Sequence, residues 1–225
     1  MDDNNGDWTD YVSGPKAPLS GRLIGWDMPD RDLAIINTGD HTVTYVSRLM
    51  NICMDVAVNP VTGKISVVGT DAINEVRFEP QLNGRFLSVE MALIDPVTFE
   101  TQRVNLNPHL TGSNPTLPEP QRLLSIGDPR QVLWTEDGSA LYVAGMGSNN
   151  LVKLDIQGRR ILERPIQISG GLSALVMDAG RHRLFGYQRF TSQLTVLDMG
   201  SHETIEEVSF SNRGVQSHFH GFAGN

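Results

Sequence analysis

The chain has 225 residues, 39% of them hydrophobic and 20% charged, with 22 Gly, 12 Pro and one Cys. That length supports one large domain or two small ones with an ample core. A net charge of −8 gives no basic footprint for nucleic acid or an anionic membrane, and no apolar run approaches the roughly 18 residues of a membrane span. The single Cys53 excludes an internal disulfide, a Cys-based zinc site and a c-type haem attachment pair.

The opening residues, Met1-Asp2-Asp3-Asn4-Asn5-Gly6, are acidic and polar, and no signal peptide is visible. Residues 1–29 read as an extended N-terminal segment, or as an incomplete blade if residues 20–26 supply the leading strand that the first copy lacks. From Leu33 onward the apolar residues come in short runs between turns. No 3.6-residue period lasts more than about three turns, so the expectation is strands throughout. Leu33-Ala34-Ile35-Ile36 and Val43-Thr44-Tyr45-Val46 flank a turn containing Gly39 and Asp40. Met54 to Val58 forms the next strand, closed by the tight turn Asn59-Pro60-Val61-Thr62-Gly63. A hairpin over 65–69 and 73–78 is expected next, then a long loop over 79–85. Further strands follow over 88–95 and 101–106, around a turn at Pro96-Val97-Thr98. Residues 107–121 hold four prolines and predict an extended connection.

Beyond that connection the sequence repeats itself. The segment from Leu141 to Asp155 aligns without a gap to the segment from Leu184 to Asp198, 43 positions later. Each reads as a strand, a turn of small polar residues and a second strand closed by aspartate. A strand and turn precede each copy: Gln131-Val132-Leu133-Trp134 with Glu136-Asp137-Gly138, and Ala174-Leu175-Val176-Met177 with Asp178-Ala179-Gly180. A fourth strand follows each, over 161–168 and 204–210. Four short antiparallel strands at a period near 43 correspond to one blade of a β-propeller. One such sheet cannot bury both faces alone, so it must stack on neighbours. The expected fold class is therefore all-β: a partial β-propeller of about four to five four-stranded blades over residues 30–210. The chain is expected to be a fragment of a longer propeller or an arc closed by a partner chain. An open arc bares apolar blade faces, which predicts self-association. Residues 211–225 fit no repeat and read as a C-terminal tail.

The chemistry-bearing residues have structural readings beside the functional ones. His218 and His220 would share one face of a strand as metal ligands, but the expectation is a terminal tail. Gly145-Met146-Gly147-Ser148-Asn149-Asn150 lacks the third glycine and following helix of a phosphate loop, and reads as a hairpin turn. Gly171-Leu172-Ser173-Ala174-Leu175 lacks the last glycine of a nucleophile elbow. Glu206 and Glu207, adjacent on a strand, point to opposite faces. Asp155 and Asp198 recur at one repeat position and are expected to accept turn N–H groups. Trp134 and Met177 read as core, and Cys53 as a small buried apolar side chain. The one candidate binding pair is Asp128 and Arg130, just before an innermost strand, where an arginine could meet an anion or close a loop salt bridge.

Leu141-Tyr142-Val143, with Asn149-Asn150, the closing Asp155, and the preceding Asp128-Pro129-Arg130 and Asp137-Gly138, resembles the YVTN-type β-propeller repeat. The copy at Leu184 has lost the family's Pro, Val and Asn. The resemblance spans about residues 30–210. It implies a seven-bladed propeller, exported to the periplasm or secreted, that serves as a binding or scaffolding surface. A narrower resemblance lies in Val67-Val68-Gly69-Thr70-Asp71-Ala72-Ile73-Asn74-Glu75-Val76-Arg77-Phe78-Glu79-Pro80 with Leu82-Asn83-Gly84-Arg85-Phe86. It is similar to bacterial propeller proteins joined to a cytochrome c peroxidase-like haem domain. In those relatives Cys-x-x-Cys-His follows the propeller. This chain has no such motif, so no cofactor is expected in it and haem c would belong to another part. The expected function is a non-catalytic scaffold presenting loops to a protein or small-molecule partner. The alternative is the propeller part of a c-type-haem redox protein. A metal-dependent hydrolase of propeller fold would need converging acidic and His ligands, and the sequence offers no convincing set.

Overall fold

The computed structural model describes residues 31–72, 87–110 and 118–210. They begin with an antiparallel hairpin, β1 (Leu33–Ile36) and β2 (Val43–Val46), followed by three four-stranded sheets. The first is β3 (Ile52–Val58), β4 (Ile65–Ala72), β5 (Leu87–Ile94) and β6 (Thr101–Asn105). After a single helical turn, α1 (Glu119–Arg122), the second is β7 (Pro129–Trp134), β8 (Ala140–Gly145), β9 (Asn150–Asp155) and β10 (Ile166–Gln167). The third is β11 (Leu172–Asp178), β12 (Arg183–Gln188), β13 (Gln193–Asp198) and β14 (Thr204–Ser209). Each sheet is an antiparallel meander in chain order. The first strands β3, β7 and β11 neighbour one another from sheet to sheet. These are propeller blades, and the all-β propeller expectation holds.

Among the described residues the expected partial propeller comprises three four-stranded blades and one two-stranded hairpin. Three particulars differ from the sequence expectation. Residues 20–26 and 73–78 lie outside the described residues, and the partner of β4 is β5, with Ile65 opposite Ile94 and Ala72 opposite Leu87. Local spacing could not reveal that pairing, because a 14-residue insertion separates the two strands. The fourth strand expected over 161–168 shrinks to Ile166–Gln167, and the Pro-rich connection ends in α1 rather than staying extended. Pro120 sits in the first turn of that helix, where its missing N–H costs nothing.

The blades are held by apolar layers between their faces. Strand alternation sends successive residues to opposite faces, and in blade 2 both faces are covered. Val132, Trp134, Leu141, Val143, Val152 and Leu154 pack toward blade 1 with Val68, Val89, Met91 and Leu93. Tyr142, Ala144 and Leu151 pack toward blade 3 with Leu172, Leu175, Leu184 and Leu197. All six residues of β8 are therefore buried, which is why it reads as a continuous apolar run rather than an alternation. A third layer joins Leu33, Ile35 and Val46 of the hairpin to Ile65, Val67, Ala92 and Ile94 of blade 1.

Turns are closed by side-chain oxygens. At the third-to-fourth strand turns, Asp155 Oδ1 accepts from the N–H of Gln157 and Arg159, both at 2.9 Å. Asp198 Oδ1 accepts from Gly200 and Ser201, also at 2.9 Å. Asp95 does the same for Val97 and Thr98 in blade 1. The recurring aspartates thus cap turns, as expected at Asp155 and Asp198. In the hairpin, Asn37 accepts from Gly39 N–H. Leu33 and Ile35 stand four and two residues before Asn37, as Met91 and Leu93 stand before Asp95, and both pairs face the following blade. The hairpin thus matches the outer half of a blade.

Candidate functional site

Asp128 immediately precedes β7, and Arg130 is the second residue of that strand. Asp128 has a left-handed backbone, φ 50°, a conformation aspartate tolerates better than most residues. Its carbonyl accepts from Met146 N–H at 3.0 Å. The register with β8 then slips between Pro129 and Gln131, which makes Arg130 the extra residue of a β-bulge. Equivalent slips occur at Met54 in β3 and Ser173 in β11. A bulge therefore recurs at one position in all three inner strands, and it re-aims one side chain per blade.

Arg130 is held by its neighbours. Its Nη2 donates to Asp128 Oδ2 at 3.1 Å, and its Nε lies 2.9 Å from Oδ1 as an ion-pair contact without hydrogen-bond geometry. Its Nη1 lies 4.0 Å from the Sδ of Met54, the bulge residue of blade 1. The two charged side chains are 35% and 30% exposed, so the pair remains in contact with solvent.

The residue after each bulge reaches sideways to the next blade. Asp55 Oδ2 accepts from Val132 N–H at 2.8 Å, and Gln131 Oε1 accepts from Leu175 N–H. Ala174 occupies this position in blade 3 and has no acceptor. Further side chains bridge blades 1 and 2. Trp134 Nε1 donates to Ser66 Oγ at 3.0 Å, and Asn59 Nδ2 donates to Gly138 O at 2.9 Å. Between blades 2 and 3, Asn149 Oδ1 accepts from Gly171 N–H at 2.9 Å, and Tyr142 Oη lies 3.2 Å from His202 Nε2. The connection between blades 1 and 2 is zipped by Asn107, which exchanges two hydrogen bonds with the backbone of Ile126. Half-buried Arg160 donates to the carbonyls of Leu106 and Leu124. Sequence reading missed these bridges. The only signal was the recurrence of Asp55 and Gln131 one residue beyond an unseen bulge.

An open cleft of about 220 Å³ lies between β1 and β3, lined by Asp32, Leu33, Cys53, Met54, Asp55, Val56 and Val67. Cys53 is half-buried there, beside the hairpin's apolar layer. The segment 145–150 forms the β8–β9 turn, with Ser148 Oγ donating to Asn150 Oδ1 at 2.7 Å. Glu206 and Glu207 sit opposite Val196 and Thr195 on β14. His218 and His220 lie outside the described residues. Among the described residues no three His, Cys, Asp or Glu side chains gather as a metal site, and no helix is long and apolar enough to cross a membrane.

No family model matches the sequence, and no curated protein matches it. Solved structures do. A chain of the Kuenenia stuttgartiensis hydrazine synthase superposes with a TM-score of 0.58 at 15% identity, over 73% of this chain and 51% of that one. A chain of a nidogen/laminin complex superposes with a TM-score of 0.53 at 11% identity, over 80% of this chain and 56% of that one. The chain thus spans about half the length of the solved chains it matches. At these identities the likeness concerns the fold, and it agrees with the blade geometry: the chain is a β-propeller.

Proposed function

We propose that this propeller is a non-catalytic scaffold whose channel-side and turn loops bind a protein or small-molecule partner outside the cytoplasm. The observation that carries the reading is how its polar side chains are used. Asp55, Gln131, Asn59, Asn107 and Asn149 hold blades or their connection together, and Asp95, Asp155 and Asp198 hold turns. The rigid frame then offers its loops as a surface. One of the solved likenesses comes from a nidogen/laminin complex, and the resemblance to the YVTN-type repeat supports export and a binding role. The Asp128–Arg130 pair at the bulge of β7 is the candidate contact, since its partly exposed charges can be re-paired by a ligand.

The test is retention of a partner from an extracellular or periplasmic extract on immobilised protein. The double variant Asp128→Ala/Arg130→Ala keeps the clamps, and losing a partly exposed ion pair costs about 1 kcal/mol or less. A partner held by the wild type and lost at least tenfold by the variant supports the reading. Equal retention removes the pair from the contact. Turnover of a substrate by the purified chain overturns the non-catalytic reading. The alternative, the propeller part of a c-type-haem redox protein, rests on the resemblance over residues 67–86. Of these, residues 67–72 lie in β4, and residues 73–86 lie outside the described residues. A Cys-x-x-Cys-His motif in the same gene would bring that reading forward.

A further inference from the structure

Two apolar faces, one on blade 3 and one on the hairpin, are covered by no described residue. A shift of 43 positions makes Leu133, Tyr142, Ala144 and Leu151 of blade 2 equivalent to Val176, Phe185, Tyr187 and Leu194 of blade 3. In blade 2 this face is sealed by blade 3, and Tyr142, Ala144 and Leu151 have no exposure. In blade 3 Val176 is 64% and Tyr187 37% exposed. The hairpin has the opposite lack. Ala34 and Ile36 stand three and one residues before Asn37, as Val152 and Leu154 stand before Asp155. Val152 and Leu154 are buried against blade 1, whereas Ile36 is 60% exposed. Val43 and Tyr45, which pair with Ile36 and Ala34 across the hairpin, are exposed beside it. Faces of this kind call for an occupant.

The two bare faces are the two halves of one joint. In each joint of the molecule a face of one member meets the opposite face of the next, and here both halves stay exposed, so one copy does not bring its own together. We propose that a second copy of this chain does, with the blade 3 face of each molecule stacked on the hairpin face of the other. Charge supports that pairing. Register sets Glu206 in one row with Val176, Phe185 and Val196, and residues paired across strands share a face, so the outer strand of blade 3 adds an acidic group to its bare face. On the hairpin the Arg31 guanidinium lies 4.3 Å from the centre of the Tyr45 ring, which places a cation among the apolar side chains. Opposite charges favour blade 3 on hairpin over blade 3 on blade 3, where both faces bring an acidic group. Because each molecule uses both faces, a twofold axis closes the pair and leaves neither face over. The described residues supply three blades and the outer half of a fourth. Two copies therefore hold about eight blade positions, at the upper end of the range in which propellers close.

The test uses two variants of the full chain, Val176→Glu on the blade 3 face and Ile36→Glu on the hairpin face. Both positions are exposed, so each variant should keep the wild-type circular dichroism. Wild type is expected to sediment as a dimer, and either variant should raise the dissociation constant about tenfold or more by burying an unpaired carboxylate in both joints. An equimolar mixture of the two variants should recover association, because a mixed pair keeps one unaltered joint. Wild type that stays monomeric at the highest soluble concentration would overturn the proposal. So would a dimer that either variant leaves intact, or one that the mixture fails to restore, since other surfaces would then be pairing. Photocrosslinking from p-benzoylphenylalanine in place of Tyr187, in a mixture of isotope-labelled and unlabelled copies, gives an independent check. The expected adduct joins position 187 of one copy to residues 34–45 of the other. An adduct confined to one copy would show that the chain covers its own face, and would overturn the assignment equally.

Discussion

The carboxylate of Asp55, on the inner strand of blade 1, accepts a hydrogen bond from the backbone N–H of Val132, on the inner strand of blade 2, at 2.8 Å. The two residues are 77 positions apart, and the bond ties the channel edges of two blades directly. Gln131 repeats the device toward Leu175. An inner strand at a channel edge has no further strand to pair with, so its outward N–H needs a side-chain partner.

Asp55→Ala leaves the Val132 N–H without that partner and is expected to lower stability by about 1–3 kcal/mol. Asp55→Asn keeps an acceptor oxygen and should recover most of the loss. Urea unfolding with an unchanged m-value checks both. Equal losses for the two variants would mean that charge, rather than the hydrogen bond, matters.

Gly69 is a position of close approach. A Cβ there would stand 1.9 Å from the carbonyl oxygen of Ile52 and 2.5 Å from Met50 Sδ. Gly69→Ala must push β3 away from β4, at a cost of about 2–3 kcal/mol. Gly180→Ala, whose nearest neighbour would be Asp178 Oδ1 at 3.5 Å, should stay within about 0.5 kcal/mol of wild type. Thermal melts of the pair read the contrast.

Acid should loosen the turns before the blades. The Thr135 hydroxyl, followed by the backbone N–H and hydroxyl of Ser139, holds the Asp137 carboxyl at about 2, below its ordinary 3.8. Hydrogen bonds led by the backbone of Thr98, the side chain of Arg181 and the backbone of Ser201 likewise lower Asp95, Asp178 and Asp198. A depressed folded-state value adds stability that is complete above the unfolded value and lost as pH falls through the folded one. The urea midpoint should therefore fall between pH 4 and pH 2. Carboxyl NMR titration of Asp137 checks the cause, and an ordinary value there would refute it.

The joint between blades 2 and 3 should weaken at a higher pH. His202, 3.2 Å from Tyr142 Oη, is held below its ordinary 6.5 by burial and then by the charge of Lys153, with Asp198 opposing. The neutral imidazole is the form the fold prefers. Its contribution is full above pH 6.5 and declines as pH falls through the lowered value. His109 is lowered too, by burial and then by Arg160, and adds to the decline. Stability should drop from pH 7.5 to 5.5, and His202→Gln should drop less. An equal drop would exonerate His202.

The sequence by itself determined what is local or periodic. Asp155 and Asp198 could be read as turn caps because the N–H groups they accept lie two to four residues away. The 43-residue copies were legible because every blade must present the same alternating faces to its neighbours. Tertiary structure decided the rest, for two physical reasons. Strand pairing is set by burial and not by adjacency, so β4 finds β5 across a 14-residue insertion. And a backbone group facing the next blade is satisfied by whichever side chain that blade brings near: Asp55 accepts from Val132 N–H, and Asn59 donates to the carbonyl of Gly138, 79 positions away. No spacing in the chain encodes those meetings; the stacking of the blades creates them.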